Sequence, residues 1–153
     1  MSQWNFKPTR ELVQAIPKTD LHVHLDGSVR LKTIIELAER GGVKLPATTE
    51  EGLANAIHMG KLCEDLRDYL TAFNVTLSVL QDEYALYRVA YELAEDAAKE
   101  NVRLMEVRYS PMLHTRKGLS LTRIVECVLE GLADARRDHN ILCNINKSSC
   151  KIS

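Results

Sequence analysis

The chain of 153 residues lacks several features that would place it in a specialised class. It has four cysteines, Cys63, Cys127, Cys143 and Cys150, and no C-x-x-C pair among them. That argues against a thiolate metal knuckle or a redox pair and predicts free thiols in a reducing cytosol. The opening residues MSQWNFKPTR have no apolar core of the signal-peptide kind, and no apolar run approaches membrane-spanning length. The expected location is cytoplasmic, with no membrane partner. Net charge is −1 and no basic block stands out, so nothing points to nucleic acid. No internal repeat is visible. The 45% hydrophobic and 27% charged composition fits one soluble globular domain with a substantial core.

Periodicity then supplies the elements. Thr9 to Ile16 reads as a short helix closed by Pro17, which cannot continue the hydrogen-bond ladder. Residues 18–25 alternate, with Leu21, Val23 and Leu25 on one face and His22 and His24 on the other, the period of a strand. The apolar face is expected to pack against helices. Ser28 is the expected N-cap of a helix that buries Leu31, Ile34, Ile35 and Ala38 and ends at Gly41. A short helix starts near Thr48 or Thr49. Leu66, Tyr69, Leu70 and Phe73 recur at helical spacing within 62–73. Asp82 caps a longer helix running from Tyr84 through Ala97. NVRLMEVRYSP is a second strand stopped by Pro111, Ser120 caps a helix to about His139, and ILCNI begins a third strand. Strands alternating with helices predict an α/β fold with a parallel sheet, because parallel neighbours need helical crossovers. Residues 1–140 are locally consistent. Residues 141–153 read as an irregular, divergent tail.

Within the first strand, His22 and His24 present imidazoles side by side, with Asp26 one step further along. Two imidazoles at this spacing can grip one transition-metal ion, although catalytic zinc uses about three protein ligands and an open position. The trio sits at the carboxyl end of its strand, where parallel sheets bind ligands. Gly27 would permit close backbone approach or an unusual turn there. Two hydrogen-bonded core histidines are the competing reading of an H-x-H pair.

Elsewhere, His58 and His139 read as helix-end residues held by the dipole. His114 follows the second strand and could contact a ligand at the rim. Glu106 and Arg108 alternate on one strand face as a possible internal ion pair, and Cys63 and Cys127 read as small core fillers.

PKTDLHVHLDGSVR closely resembles the N-terminal motif of the adenosine deaminases, metal-dependent amidohydrolases on a (β/α)8 TIM barrel. The likeness continues through the helix at 62–73 and into EVRYSP and LHTRKGLS, covering roughly residues 8–140. The resemblance implies that His22 and His24 are two zinc ligands. It implies that Asp26, with His24, contacts the nucleoside, chiefly its ribose. Relatives acting on free adenine usually carry glutamate at that position, so Asp26 favours a nucleoside. Leu66, Tyr69, Leu70 and Phe73 match a gating helix that walls the purine. The implied reaction is hydrolytic deamination of adenosine to inosine and ammonia, with one zinc ion per complete site as cofactor and a small purine nucleoside as partner. The H-x-E and P-C-x-x-C signature of the cytidine-deaminase mode is absent.

No residue here matches the family's third zinc histidine, its proton-shuttling glutamate, its further histidine or its aspartate pair. No catalytic acid or base is therefore assigned within the chain. A complete barrel needs about 250 residues. The chain is expected to be the truncated N-terminal part of one, two to three strands with their helices, and inactive alone. A deaminase of another purine, an inactive truncated product and a non-catalytic helical interaction module are the alternatives. Oligomeric state is open.

Overall fold

The computed structural model describes residues 7–57 and 66–145, the side chains of residues 66–71 excepted. Three parallel strands, β1 (Lys18–His24), β2 (Val102–Arg108) and β3 (Leu142–Ile145), form one sheet in the order β1-β2-β3. Among the described residues four helices lie between β1 and β2: α2 (Leu31–Gly41), α3 (Glu50–Ala56), α4 (Leu66–Val79) and α5 (Glu83–Lys99). A 3-10 turn, Pro111–His114, and α6 (Leu121–His139) lead on to β3. The parallel pairing follows from these crossovers, as the alternation predicts.

Caps fix where the helices begin. Thr9 starts α1 (Arg10–Ala15), its Oγ1 accepting from the N–H of Leu12 at 3.3 Å. Thr49, Asp82 and Ser120 accept in the same way from Gly52, Ala85 and Arg123, at 3.1, 3.0 and 3.1 Å. Each satisfies one donor that the first helical turn leaves free. Lys18 ties α1 to the base of the sheet, donating to the carbonyls of Gln14, Ile16 and Glu100.

Helix α2 departs from its expected ends. Ser28 belongs to the turn that leaves β1, its N–H donating to the Leu25 carbonyl at 3.3 Å. The N-cap is Arg30, with no capping side chain; its guanidinium is instead committed to Asp96, Glu95 and the carbonyl of Glu92. The stop is Gly42 rather than Gly41, because Gly42 takes the left-handed conformation (φ 64°) that glycine reaches at least cost. Ile34 and Ala38 are buried as expected, Leu31 and Ile35 are half-buried, and Leu37 and Thr33 join the core. Helix α4 runs past Phe73 to Val79, and residues 62–65 of the expected segment lie outside the described residues.

Helices α5 and α6 pack against each other and against one face of the sheet. Val23, Met105, Val107, Cys143 and Ile145 face them and join Leu86, Val89, Leu93, Ile124, Val128 and Leu132 in the core. At Gly131 the two helices come so close that an added Cβ would stand 2.3 Å from the Tyr87 carbonyl oxygen. Cys127 is a buried core filler. His139 packs edge-on against Tyr91, whose hydroxyl lies 3.1 Å from its Nε2. Cys63 and His58 lie outside the described residues.

Leu21 is a correction. The alternation predicts burial beneath helices with Val23 and Leu25, yet Leu21 is 52% exposed, at the register shift that sets Leu21 and His22 opposite Glu106.

Candidate functional site

The site grows from the carboxyl end of β1. Pairing with β2 shifts between Asp20 and Val23, where Leu21 and His22 stand opposite the single residue Glu106. Such a bulge re-aims side chains locally. Asp20 braces it, its Oδ1 accepting from the N–H of His22 at 3.2 Å. The His22 and His24 rings lie with centroids 5.3 Å apart and planes tilted by 34°, both at the exposed surface of the strand. The sequence places these two side by side, and the structure brings them together.

Beyond the strand the chain turns inward. Leu25 is buried and Asp26 is only 3% exposed. The carboxylate lies 3.8 Å from Nδ1 of His24. Burial is the largest influence on it and pushes its pKa above the ordinary carboxylate value. The backbone N–H groups of Asp26 and Gly27 and the nearby rings of His114 and His24 act the other way. Its Oδ1 has no hydrogen-bond partner among the described residues. A buried, unsatisfied carboxylate oxygen is costly unless something meets it.

Asp26 and His24 border a cleft of about 280 Å³. Its other walls are the turn residues Gly27, Ser28 and Val29, Ile34 of α2, Ile57 after α3, and Ala72, Phe73 and Thr76 of α4. The cleft is thus apolar with a polar corner, the usual character of a small-molecule site. Of the four expected wall residues, Phe73 lines it, while the side chains of Leu66, Tyr69 and Leu70 lie outside the described residues. Sequence reasoning missed Val29, Ile57, Ala72 and Thr76; Val29 follows the strand and Ile57 ends α3, while Ala72 and Thr76 flank Phe73 within α4 at helical spacing. Gly27 is not required by conformation there: a Cβ would meet only ordinary contacts, at 3.5 Å or more.

His114 is a second correction. It does not reach a rim; the 3-10 turn folds its ring inward until it is fully buried. Its Nδ1 lies 2.8 Å from the Leu80 carbonyl, and since a carbonyl only accepts, Nδ1 carries the hydrogen. Nε2 has no hydrogen-bond partner among the described residues, and burial pushes the ring's pKa below the usual imidazole value. Gln81 pins the same loop, donating to the carbonyls of Leu77 and Leu113 and accepting from the N–H of Arg116. Glu106 and Arg108 lie half-buried on one face of β2, with Arg108 in register with His24.

As a metal centre this is a partial set. Two adjacent imidazoles fit two positions of a zinc site, which suits nitrogen donors. No group of three or more histidine, cysteine, aspartate or glutamate side chains among the described residues is arranged to hold an ion. No helix among them is long and apolar enough to cross a membrane.

Comparison with known proteins places this arrangement. The sequence profile of the adenosine deaminases matches residues 17–148. An adenosine deaminase of Shewanella halifaxensis is 42% identical over 137 residues, which is 90% of this chain and 41% of that protein. Among solved structures, an adenine deaminase of Arthrobacter aurescens superposes with a TM-score of 0.76 at 30% identity, covering 86% of this chain and 39% of that one. An amidohydrolase of Burkholderia ambifaria with bound zinc does so at 0.73 and 26%, covering 94% and 39%. The chain therefore spans about two fifths of the length of these relatives, and its three-stranded sheet is the N-terminal part of a barrel deaminase fold. On the profile match and the shared geometry together, the chain belongs to the adenosine deaminase family.

Proposed function

We propose that this chain carries the first part of a zinc-dependent adenosine deaminase site, with a purine nucleoside as substrate. The observation that carries the reading is the pairing of His22 and His24 beside a buried carboxylate at the mouth of an apolar cleft. His22 and His24 would hold two positions of the metal, and the remaining ligands would come from the part of the family's fold that the matched region does not cover. Zinc so held supplies Lewis acidity, which lowers the pKa of water toward neutrality.

The chain's own residues bind and orient. The unpartnered Oδ1 of Asp26 accepts a ribose hydroxyl, and His24 flanks the same group from 3.8 Å. By the family resemblance, in which relatives acting on free adenine usually carry glutamate here, Asp26 supports a nucleoside over a free base. Phe73, Ala72, Ile34 and Ile57 exclude water from one side of the purine. None of the assigned residues serves as the acid or base that moves the proton. Such a group typically contributes about 10²–10⁴-fold in rate.

The test is a chimera. Residues 1–145 joined in register to the remaining segment of the Shewanella enzyme should convert adenosine to inosine with zinc bound, and His24→Ala should abolish it. Asp26→Ala in the chimera should lower kcat/KM for adenosine at least about tenfold, the loss of a hydrogen bond to a charged group. A folded, zinc-loaded chimera without deaminase activity would overturn the proposal.

A further inference from the structure

The register between β1 and β2 breaks twice, in opposite senses. Lys18 stands opposite Val102 but Thr19 opposite Leu104, so the pairing passes over Arg103 of β2. Lys18 is held at its place: its N–H donates to the Asn101 carbonyl at 3.0 Å, and its Nζ to the carbonyls of Gln14, Ile16 and Glu100. Asp20 follows opposite Met105. Continued at that spacing, His22 and His24 would stand opposite Val107 and Tyr109, both buried in the core. In-register neighbours point the same way, and a slip of one residue exchanges the two faces of a strand. Both imidazoles would then aim at the helices, and Val23 at the opposite face.

The second break reverses this. Leu21 and His22 share the place opposite Glu106, and pairing resumes with Val23 at Val107 and His24 at Arg108. Val23 thereby returns to the core side, while His22 and His24 stay exposed with ring centroids 5.3 Å apart. A bulge is rare between parallel strands and leaves its extra residue out of the ladder. The His22 N–H finds a partner two residues back, in Oδ1 of Asp20 at 3.2 Å. This is the turn an aspartate makes on its own backbone, a local alternative to regular strand. We propose that Asp20 is a positioning residue for the His22–His24 pair: its side-chain oxygen clasps the bulge that keeps both imidazoles on the face away from the helices. The clasp uses an acceptor on a one-carbon stem and does not depend on charge. The positioning stands on the register and the hydrogen bond; the metal that the pair would hold rests on the proposed function.

The test compares the intact 153-residue chain with its Asp20→Asn and Asp20→Ala variants, first without metal and then with zinc ion. Asparagine keeps the acceptor and loses the charge; alanine loses both. In metal-free NMR spectra, nuclear Overhauser contacts between the His22 and His24 rings are expected in the parent and in Asp20→Asn. So are cross-strand contacts at Val23–Val107 and His24–Arg108. Asp20→Ala should lose these while keeping its helicity and the Lys18–Val102 contact. Zinc ion added stepwise, followed on the same ring signals, should bind Asp20→Ala about tenfold or more weakly, the range for a partner that orients a metal ligand. Ring contacts that survive in Asp20→Ala overturn the inference. Equal loss in Asp20→Asn does so too, since charge and not the clasp would then be responsible. Collapse of the whole fold in Asp20→Ala, read by helicity and urea midpoint, would make Asp20 a general structural residue and also overturns it. Ring contacts that follow the expected pattern while no form binds zinc support the clasp and count against the proposed metal site instead.

Discussion

Asp26 and His114 lie buried within electrostatic reach of each other, and burial moves them in opposite senses. Below the ordinary imidazole value the unfolded chain takes up a proton at residue 114 that the folded chain resists, since burial has lowered that pKa. Stability from this group is therefore complete at neutral pH and falls as pH drops through about 6.5. Asp26 is raised, so its contribution is present in acid and is lost as pH rises through its folded-state value. Two results follow for urea midpoints of the chain. His114→Gln should flatten the loss of stability between about pH 7 and pH 5. Asp26→Asn should stabilise the fold at neutral pH by roughly 1 kcal/mol, the order of cost of an unmet buried polar group, while removing the carboxylate proposed to meet the ligand. An Asp26→Asn midpoint at or below that of the parent at pH 7 would contradict the assignment of Asp26 as a destabilised binding group. The side-by-side placing of His22 and His24 was legible in the sequence because period two sets alternate side chains on one face; Asp26 lies past the end of β1, where the chain turns inward. The inward fold of His114 was not legible, because it depends on where Leu80, just past α4, offers its carbonyl.

At the scale of elements, the caps and periods were enough. Thr9, Thr49, Asp82 and Ser120 each stand where a local signal puts them. Apart from the one-residue shift of the α2 stop from Gly41 to Gly42, the failures depend on what lies elsewhere in the chain. Arg30, 66 residues from its Asp96 partner, displaced the cap expected at Ser28. Leu21 alternates as a buried residue should, but nothing in its own strand says whether a helix will cover it. Gly131 shows the same dependence and can be tested. Helix propensity alone favours alanine over glycine by about 1 kcal/mol. Here the new methyl would stand 2.3 Å from the Tyr87 carbonyl and 3.1 Å from the Ala90 methyl, and the backbone oxygen cannot rotate away. Gly131→Ala should therefore destabilise by about 1–3 kcal/mol, the cost of overpacking, by separating α5 from α6. An alanine variant that melts at or above the parent temperature would show that these helices are packed more loosely than this.

The whole molecule determines what the two histidines can do with metal. A zinc site that binds tightly uses three or four protein ligands oriented by partners behind them. Here the two rings are exposed, and no third or fourth donor is arranged with them among the described residues. The expected affinity for zinc is therefore far weaker than that of a complete catalytic centre. Linkage then predicts little protection: an ion present below its dissociation constant adds less than about 0.4 kcal/mol to folding, since stabilisation grows as RT ln(1 + [L]/Kd). Titrating the chain against a chelating zinc indicator, with urea melts at matched zinc, checks both statements. Stoichiometric binding at nanomolar zinc, lost in His22→Ala and accompanied by a large rise in the urea midpoint, would mean that the chain completes the site on its own or between copies. The two-fifths of a barrel described here would then be a metal-binding unit in itself.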